Sequence, residues 1–345
     1  VDNDTNHEIQ GVFWKVATAS EPASYVFTNT TGDTNKEGSG AITAYTGVDT
    51  VSPIDAHAAT TYPSGGTSIV GPSVTTTVPG TQLLTLVGQR SNGDLTPAAG
   101  MAERYETFAG NQNLVQMADQ SLGAAGSTGT RTVTSTSNGS SVVQTVAIRP
   151  RQISLVGTGA PGTAIDGAAG SITLSRPPGV QAGDVMIAHV VLHTHSFNPN
   201  PLPAPSGWTL VRVDTDNAHV TAGVFRRVAG ASEPATWTFT NASGDTTQQA
   251  VGAVVAYRGV DTANPVDVHD GTGSAGGSDT LVAPSVTTPR PGARLLSLVG
   301  AYGNDHGPAT PPGSMTERYE RTEQAAGGVV EALGELADEV LATAG

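Results

Sequence analysis

The sequence predicts an all-β protein made of tandem, jelly-roll-like antiparallel β-sandwich domains. Most of the sequence occurs twice at a constant spacing, since Gly11-Val12-Phe13 returns as Gly223-Val224-Phe225 and 223 − 11 = 212. A period of this length marks one repeated domain. Short runs of alternating apolar and polar residues favour strands, and 43 glycines and 22 prolines supply the turns between them. Only 13% of the residues are charged, which also suits a turn-rich β protein.

Two domains are predicted, and neither copy of the repeat is whole. The first covers residues 1–150 and lacks its N-terminal strands, whereas the second covers residues 151–345 and lacks its closing hairpin. The missing parts correspond to residues 151–212 and 127–150, which differ too much in length for two chains to complete each other by exchanging ends. Two explanations stay open: the chain belongs to a longer polypeptide, or another subunit fills the open edges by adding a strand.

Strands of the first copy are predicted where apolar runs alternate between turn residues. They lie at Gly11–Val16, Ser24–Thr28, Gly40–Tyr45, Ile69–Val74 and Leu83–Val87. The end of this copy predicts a closing hairpin, in which Thr130–Thr134 and Val142–Ile148 flank a turn at Asn138-Gly139-Ser140. Asn-Gly between two β-rich runs is a strong hairpin signal because both residues tolerate positive φ.

The second copy begins after the seam Arg149-Pro150-Arg151 and contains the part that the first lacks. Its additional strands are predicted at Ser171–Leu174, at the continuous apolar run Val185–Leu192 and at Trp208–Val213. Counterparts of the first-copy strands follow at Gly223–Val228, Thr236–Thr240, Gly252–Tyr257, Leu281–Val286 and Leu295–Val299. The segment Val329–Leu336 has helix-like apolar spacing, but its position in the repeat favours a strand because local propensity is weak evidence.

Several motifs carry a resemblance to a known class of repeat. They are Pro-Pro-Gly-Val-Gln-Ala-Gly-Asp-Val (Pro177–Val185), Pro-Ser-Gly-Trp-Thr-Leu-Val (Pro205–Val211), Ala-Ser-Glu-Pro-Ala-Thr-Trp-Thr-Phe (Ala231–Phe239), Tyr-Arg-Gly-Val-Asp (Tyr257–Asp261) and Met-Thr-Glu-Arg-Tyr (Met315–Tyr319). With them the chain resembles the β-sandwich repeats of large secreted bacterial surface proteins and of some phage tail proteins. This resemblance covers nearly the whole chain and implies a spacer, stalk or adhesive unit.

Charge and composition argue against several classes of partner. Thirty acidic and sixteen basic residues give a net charge of −14, which opposes binding to nucleic acid or to anionic membranes. No apolar run reaches the ~18 to 20 residues that a membrane-spanning helix needs, so we expect no membrane insertion. The sequence has no cysteine, which excludes disulfides and thiolate chemistry within the chain.

Four aspartates are the candidate metal ligands. Asp49 and Asp55 of the first copy correspond to Asp261 and Asp267 of the second. Alternating Asp and Asn side chains in a turn can offer several hard oxygens to Ca²⁺, which makes calcium the one cofactor that the sequence suggests. The competing interpretation is that these side chains cap turns by accepting hydrogen bonds from nearby backbone N–H groups.

Histidines suggest a second, weaker metal site. His193 and His195 are two residues apart, so they would share one face of a strand, but no third ligand follows from the spacing. The alternative is that they are solvated or hydrogen-bonded to backbone. Two other pairs recur between the copies: His57 with His269, and His7 with His219.

No catalytic constellation is found, and we expect no enzyme. The sequence has no Gly-x-Ser-x-Gly elbow after a strand and no arguable Ser, His and Asp set. Glu21 and Glu233 precede proline in both copies and could act as acids in glycoside cleavage, but a position where a strand begins explains them better. Glu103-Arg104-Tyr105 and Glu317-Arg318-Tyr319 suggest a local ion pair beside a packed ring.

Aromatic residues raise the possibility of sugar binding. Trp14, Trp208 and Trp237, with Tyr25, Tyr45 and Tyr257, could stack on pyranose rings, but Trp237 lies in an alternating strand, which favours packing in the core.

The sequence therefore predicts a non-enzymatic structural repeat of an extracellular bacterial filament, stalk or adhesin, located at the cell surface. Its expected partners are copies of itself or adjacent repeats along a fibre. The alternative is a carbohydrate- or receptor-binding module of a surface or phage tail-fibre protein, with a glycan or a host surface as partner.

Overall fold

The computed structural model describes residues 2–3, 9–28, 38–110, 112–164, 171–193, 202–216, 219–240, 242, 249–273, 280–289, 291–303, 308–324 and 330–341. Within these residues all regular structure is β-strand, no helix occurs, and every strand pairing is antiparallel. The predicted all-β, antiparallel class is confirmed. The chain divides into two compact units, Val1–Arg151 (unit 1) and Gln152–Gly345 (unit 2).

Unit 1 contains twelve strands among its described residues. They are β1 (Asp2–Asn3), β2 (Ile9–Gln10), β3 (Ile54–Tyr62), β4 (Ser68–Gly71), β5 (Thr75–Thr76), β6 (Gln82–Gln89), β7 (Leu95–Thr96), β8 (Ala102–Ala109), β9 (Asn113–Ser121), β10 (Gly126–Ser127), β11 (Arg131–Ser135) and β12 (Ser141–Ile148).

A five-stranded sheet in the order β3-β12-β6-β9-β8 forms the centre of unit 1. Side chains alternate along β6, so its two faces support two separate cores. One face packs with the three-stranded sheet β4-β11-β7 through a cluster of Ile69, Val87, Leu95, Leu114, Val133 and Val143. The other face carries a cluster of Leu84, Leu86, Met117 and Val146, with Tyr45 packed against it.

The predicted closing hairpin is wrong. β11 pairs with β4 and β7, whereas β12 pairs with β3 and β6, so two strands that follow each other in sequence lie in different sheets. The connecting residues bond to the end of β6. Gln89 donates from Nε2 to the carbonyl oxygens of Ser137 and Gly139, both at 3.3 Å, and accepts a 2.7 Å bond from Ser135 Oγ.

Unit 2 contains eleven strands among its described residues. They are β13 (Ser154–Thr158), β14 (Gly162–Ala164), β15 (Ser171–Ser175), β16 (Val185–His193), β17 (Thr209–Thr215), β18 (Val220–Val228), β19 (Thr236–Thr240), β20 (Ala250–Arg258), β21 (Arg294–Ala301), β22 (Thr316–Gln324) and β23 (Val330–Val340).

Unit 2 is layered around a sheet in the order β13-β20-β16-β18-β17, with β14 also paired to β20. One face of this sheet packs on the β15-β19 pair through a cluster that includes Ile172, Leu174, Met186, Trp208, Phe225, Trp237 and Phe239. The other face packs on the three-stranded sheet β21-β23-β22 through Val185, Ile187, Val255, Tyr257, Tyr319 and Leu336. Glycines on β21 and β23 let these layers approach closely, since a Cβ added at Gly300 would lie 3.0 Å from both Cγ atoms of Val191.

Several predicted strands are absent from the described residues because their pairing partner is missing. Gly11–Val16, Ser24–Thr28 and Gly40–Tyr45 form no strand, although their second-copy counterparts lie in β18, β19 and β20. Those three strands pair with β16 or β15, for which the first copy has no counterpart. Leu281–Val286 forms no strand either, and its first-copy counterpart β4 pairs with β11, which the second copy lacks.

The ambiguous segment near the end of the second copy is a strand. β23 pairs with β21 and β22 along its length, and Leu333 and Leu336 are buried. The preference for a strand over Val329–Leu336 is confirmed for residues 330–336, while Val329 lies outside the described residues. Tertiary pairing has overridden the helical spacing of its apolar residues.

Candidate functional site

Two of the four candidate calcium ligands cap turns. Asp49 accepts hydrogen bonds from the backbone N–H groups of Val51 (2.9 Å) and Ser52 (3.2 Å), which lower the pKa of its carboxyl group. Asp261 accepts one in the same way from the N–H of Ala263, at 3.0 Å. These bonds are those of an Asx turn, the competing interpretation of the sequence.

The other two aspartates bind side chains. Asp55 accepts bonds from the backbone N–H (2.7 Å) and hydroxyl (2.6 Å) of Thr77, and its buried carboxylate pairs with Arg149 at 2.6 Å. Asp267 accepts a 2.6 Å bond from the Thr288 hydroxyl. Within the described ranges no group of three or more His, Cys, Asp or Glu side chains is placed to hold a metal ion. Calcium binding stays a prediction.

The structure packs His189 and His193 in unit 2, whereas the recurring pair His57 and His269 is exposed. His193 bonds through Nδ1 to Gln249 Oε1 at 2.8 Å and stacks on Tyr302, with ring centroids 4.1 Å apart. His195 and His7 lie outside the described residues, so the proposed His193–His195 pair is untested. His189, which the sequence did not single out, is fully buried with Nδ1 2.5 Å from the Tyr319 hydroxyl, and burial lowers its pKa to about 3.

The candidate sugar-binding aromatics separate into buried and exposed groups. Trp208 and Trp237 pack edge to face at 5.3 Å in the core of unit 2, which leaves no ring face for a sugar. Of the three tryptophans, Trp14 alone is exposed, at 60%. Core packing of Trp237 is confirmed, and substitution of Trp208 would disturb folding rather than test binding.

The two glutamates before proline are held in ion pairs. Glu233 binds Arg227 at 2.8 Å and accepts a bond from the N–H of Gly230. Glu21 binds Lys15 at 2.6 Å, and hydrogen bonds from Lys15 and Tyr25 lower the pKa of Glu21 to about 2. A general acid in glycoside cleavage needs a raised pKa, so the arrangement at Glu21 opposes that role.

A polar cluster among the described residues joins two layers of unit 2. Asp338 on β23 accepts bonds on Oδ1 from Arg294 (2.7 Å) and Arg318 (2.7 and 2.8 Å), and on Oδ2 from the Tyr257 hydroxyl (2.5 Å). Tyr257 lies on β20, in the opposite sheet. Burial by itself raises the pKa of Asp338, but the two guanidinium groups and the tyrosine outweigh it and hold that pKa below the usual value.

Unit 1 repeats this arrangement at counterpart positions. Asp119 on β9 accepts a 2.7 Å bond from the Tyr45 hydroxyl and pairs with Arg104 at 2.7 Å. Burial, followed by the bond to Asp119, raises the pKa of Tyr45. The ion pair expected within Glu103-Arg104-Tyr105 is therefore made across to the next strand instead. Sequence reasoning missed the tyrosine–aspartate–arginine cluster, although all three residue types recur in both copies at matching positions.

Apolar side chains that are buried in one copy are exposed in the other. Phe225 is fully buried, whereas its counterpart Phe13 is 67% exposed. Conversely, Ile69 is fully buried, whereas its counterpart Leu281 is 51% exposed. Each exposed residue belongs to a segment whose partner strand is absent from its own copy, so the exposure marks two incomplete surfaces.

Comparison with known proteins finds no relative of this chain. No protein-family model matches the chain, and neither a curated protein nor a solved structure matches it. Among the described residues there is no helix that could cross a membrane.

Proposed function

We propose that this chain is a structural repeat of an extracellular bacterial filament, stalk or adhesin, built of jelly-roll-like β-sandwich units. In this role each unit contributes a stable folded body, and adjacent repeats or further copies along a fibre are its partners. The acidic composition keeps a surface-located array soluble. We propose no enzymatic activity for it.

The observation that carries this proposal is the recurrent tyrosine–aspartate–arginine cluster. Its charged residues are the kind that often perform chemistry, yet unit 2 uses them to bind one layer of strands to another, and unit 1 uses them to bind the segment of Tyr45 to its central sheet. The carboxylate of Asp338 is fully buried under two arginines and a tyrosine, which use all the bonds shown for it to hold strands together. Keeping such a costly buried charge in both copies supports selection for a fixed arrangement of sheets.

A force measurement tests the mechanical side of this role. When the whole chain is pulled from its two ends, each unit should unfold in one event. From Ile54 to Ile148 unit 1 would release roughly 320 Å, and from Ser154 to Val340 unit 2 would release roughly 640 Å, at ~3.4 Å per residue. Gradual extension without separate unfolding events would contradict a mechanically stable structural repeat.

A glycan array tests the alternative of a carbohydrate- or receptor-binding module. The structural role predicts no reproducible binding. Trp14 is the exposed tryptophan, so Trp14→Ala is the informative variant and should leave the buried cores intact. Glycan binding by the chain that disappears in Trp14→Ala would favour the binding module and overturn the purely structural role.

A further inference from the structure

The open edge of β21 is the surface in unit 2 whose partner can be derived from the other copy. β6 and β21 share the sequence Leu-Leu-x-Leu-Val-Gly, and each pairs on one edge with the corresponding next strand, β9 or β23, in the same register. On its other edge β6 pairs with β12. Among the described strands β21 has no partner on that edge.

Burial shows the effect of the missing partners, since in unit 1 β12 covers one edge of β6 and the β4-β11-β7 sheet covers one of its faces. β6 is buried at seven of its eight positions, whereas β21 is only half-buried at all eight. The effect extends beyond β21, because β12 also pairs with β3 on its far side. Residues 266–273, which correspond to most of β3, form no strand in unit 2. One absent central strand thus leaves two neighbouring segments incomplete.

We infer that the β21 edge binds an antiparallel strand with the sequence of β12, Ser141–Ile148, supplied by another segment of this same repeat. This inference rests on the proposed role as a repeat unit and names the partner of its open surface. The register follows from β6: Ile148 would pair with Arg294, Thr145 with Ser297, and Ser141 with Ala301.

The side chains of β12 suit a central position. Val142, Val143 and Ala147 are fully buried and Val146 nearly so, although they point alternately to the two faces of the sheet. A strand that is apolar on both faces needs a layer above and below it. In unit 2 the sheet that contains β21 has β16 and β20 against one face, through Leu296 and Leu298, so unit 2 supplies one of these two layers.

Charge adds a second element of recognition at the end of the strand. Arg149 follows β12 directly and pairs with the buried carboxylate of Asp55 in unit 1. Asp267 is the counterpart of Asp55, so a donor that includes Arg149 brings its guanidinium group to a carboxylate at the same place in the repeat. The β12 of unit 1 is not the donor, because it is the central strand of its own sheet.

The experiment uses the full chain and a synthetic peptide of residues 137–151. Fluorescence anisotropy measures binding, and hydrogen exchange followed by mass spectrometry locates it. We expect saturation at one peptide per chain and slowing of exchange over residues 294–301 by roughly tenfold or more. The matched control is the same peptide with Thr145→Pro, which should not bind, because proline cannot occupy the centre of a sheet.

Three results would overturn the inference: no binding, equal binding by the proline peptide, or protection at another strand edge such as β22 instead of β21. None of them touches the proposed function, which the force and glycan measurements test without any peptide. Conversely, peptide binding at β21 together with specific glycan binding would keep the inference and discard the purely structural role.

Discussion

Phe225→Ala and Phe13→Ala are the same substitution at counterpart positions, and the structure predicts opposite results. Phe225 is fully buried in the core of unit 2, with its ring centroid 5.0 Å from that of Phe239. Removing a buried phenylalanine ring costs about 3–5 kcal/mol, from lost burial and from the cavity left behind. For a unit of this size that loss lowers the melting temperature by roughly 6–20 °C. Phe13 is 67% exposed, so its removal should change the stability of unit 1 by less than about 0.5 kcal/mol.

Urea titration of the full chain measures both variants. Trp208 and Trp237 lie in the same core as Phe225, so their fluorescence reports the unfolding of unit 2. A Trp14→Phe background removes the tryptophan signal of unit 1, and circular dichroism follows both units together. A loss of more than ~2 kcal/mol in Phe13→Ala would refute the reasoning, because it would mean that the first-copy segment is packed like its counterpart.

Three further predictions concern unit 2. Gly300→Ala should lower the free energy of unfolding by about 1–3 kcal/mol because the added Cβ meets the stiff, buried side chain of Val191. In unit 1 the matched control Gly88→Ala should be neutral, since the nearest atom to its added Cβ is 3.8 Å away, and equal effects of the two variants in urea titration would contradict this packing. Burial, and then the charges of nearby glutamates, raise the pKa of Glu335, so the contribution of Glu335 to the stability of unit 2 should fall as pH rises above about 4.3. Glu335→Gln should abolish that loss, and a calorimetric pH profile identical to that of the parent would contradict this role of Glu335. The pKa of Asp338 is lowered, so the stabilisation that its carboxylate gives unit 2 is present above about pH 3.9 and disappears as pH falls further. Asp338→Asn should lower the free energy of unfolding of unit 2 by about 3–5 kcal/mol at pH 7 and remove this acid dependence, and a variant as stable as the parent would disprove the role of the cluster. If the predicted Ca²⁺ sites exist, EDTA should lower the melting temperature, and an unchanged scan would remove calcium from consideration.

The sequence predicted strands well where each strand's partner is present in the same copy. The continuous apolar run Val185–Leu192 became the central strand β16, and the alternating segments that pair with it became β18 and β20. The segment Thr236–Thr240 became β19, whose partner is β15. The same alternation failed at Gly11–Val16, because strand formation depends on a distant partner that alternation does not report.

The hairpin prediction was wrong and the polar cluster was missed for related reasons. Asn138-Gly139 is a local turn signal, but the choice between a hairpin and a crossing from one sheet to another depends on which strands lie nearby. The cluster joins Tyr257 to Asp338 across two sheets, a contact between residues 81 positions apart. Matching the copies residue by residue would have suggested it, because tyrosine, arginine and aspartate recur together, although no local pattern links them.

The repeat is therefore best understood as two halves, each organised by one central strand. β16 organises the first half, in which it pairs with both β18 and β20, and β12 organises the second, in which it pairs with both β3 and β6. Unit 2 holds the first half complete, and unit 1 holds the second half complete. Because each incomplete half lacks the strand that two neighbours share, losing that one strand leaves two segments without their full pairing. A complete repeat accordingly requires β16 and β12 together. The two Leu-Leu-x-Leu-Val-Gly strands differ in burial because β6 has that central neighbour and the β4-β11-β7 sheet against one face, whereas β21 has neither among the described strands.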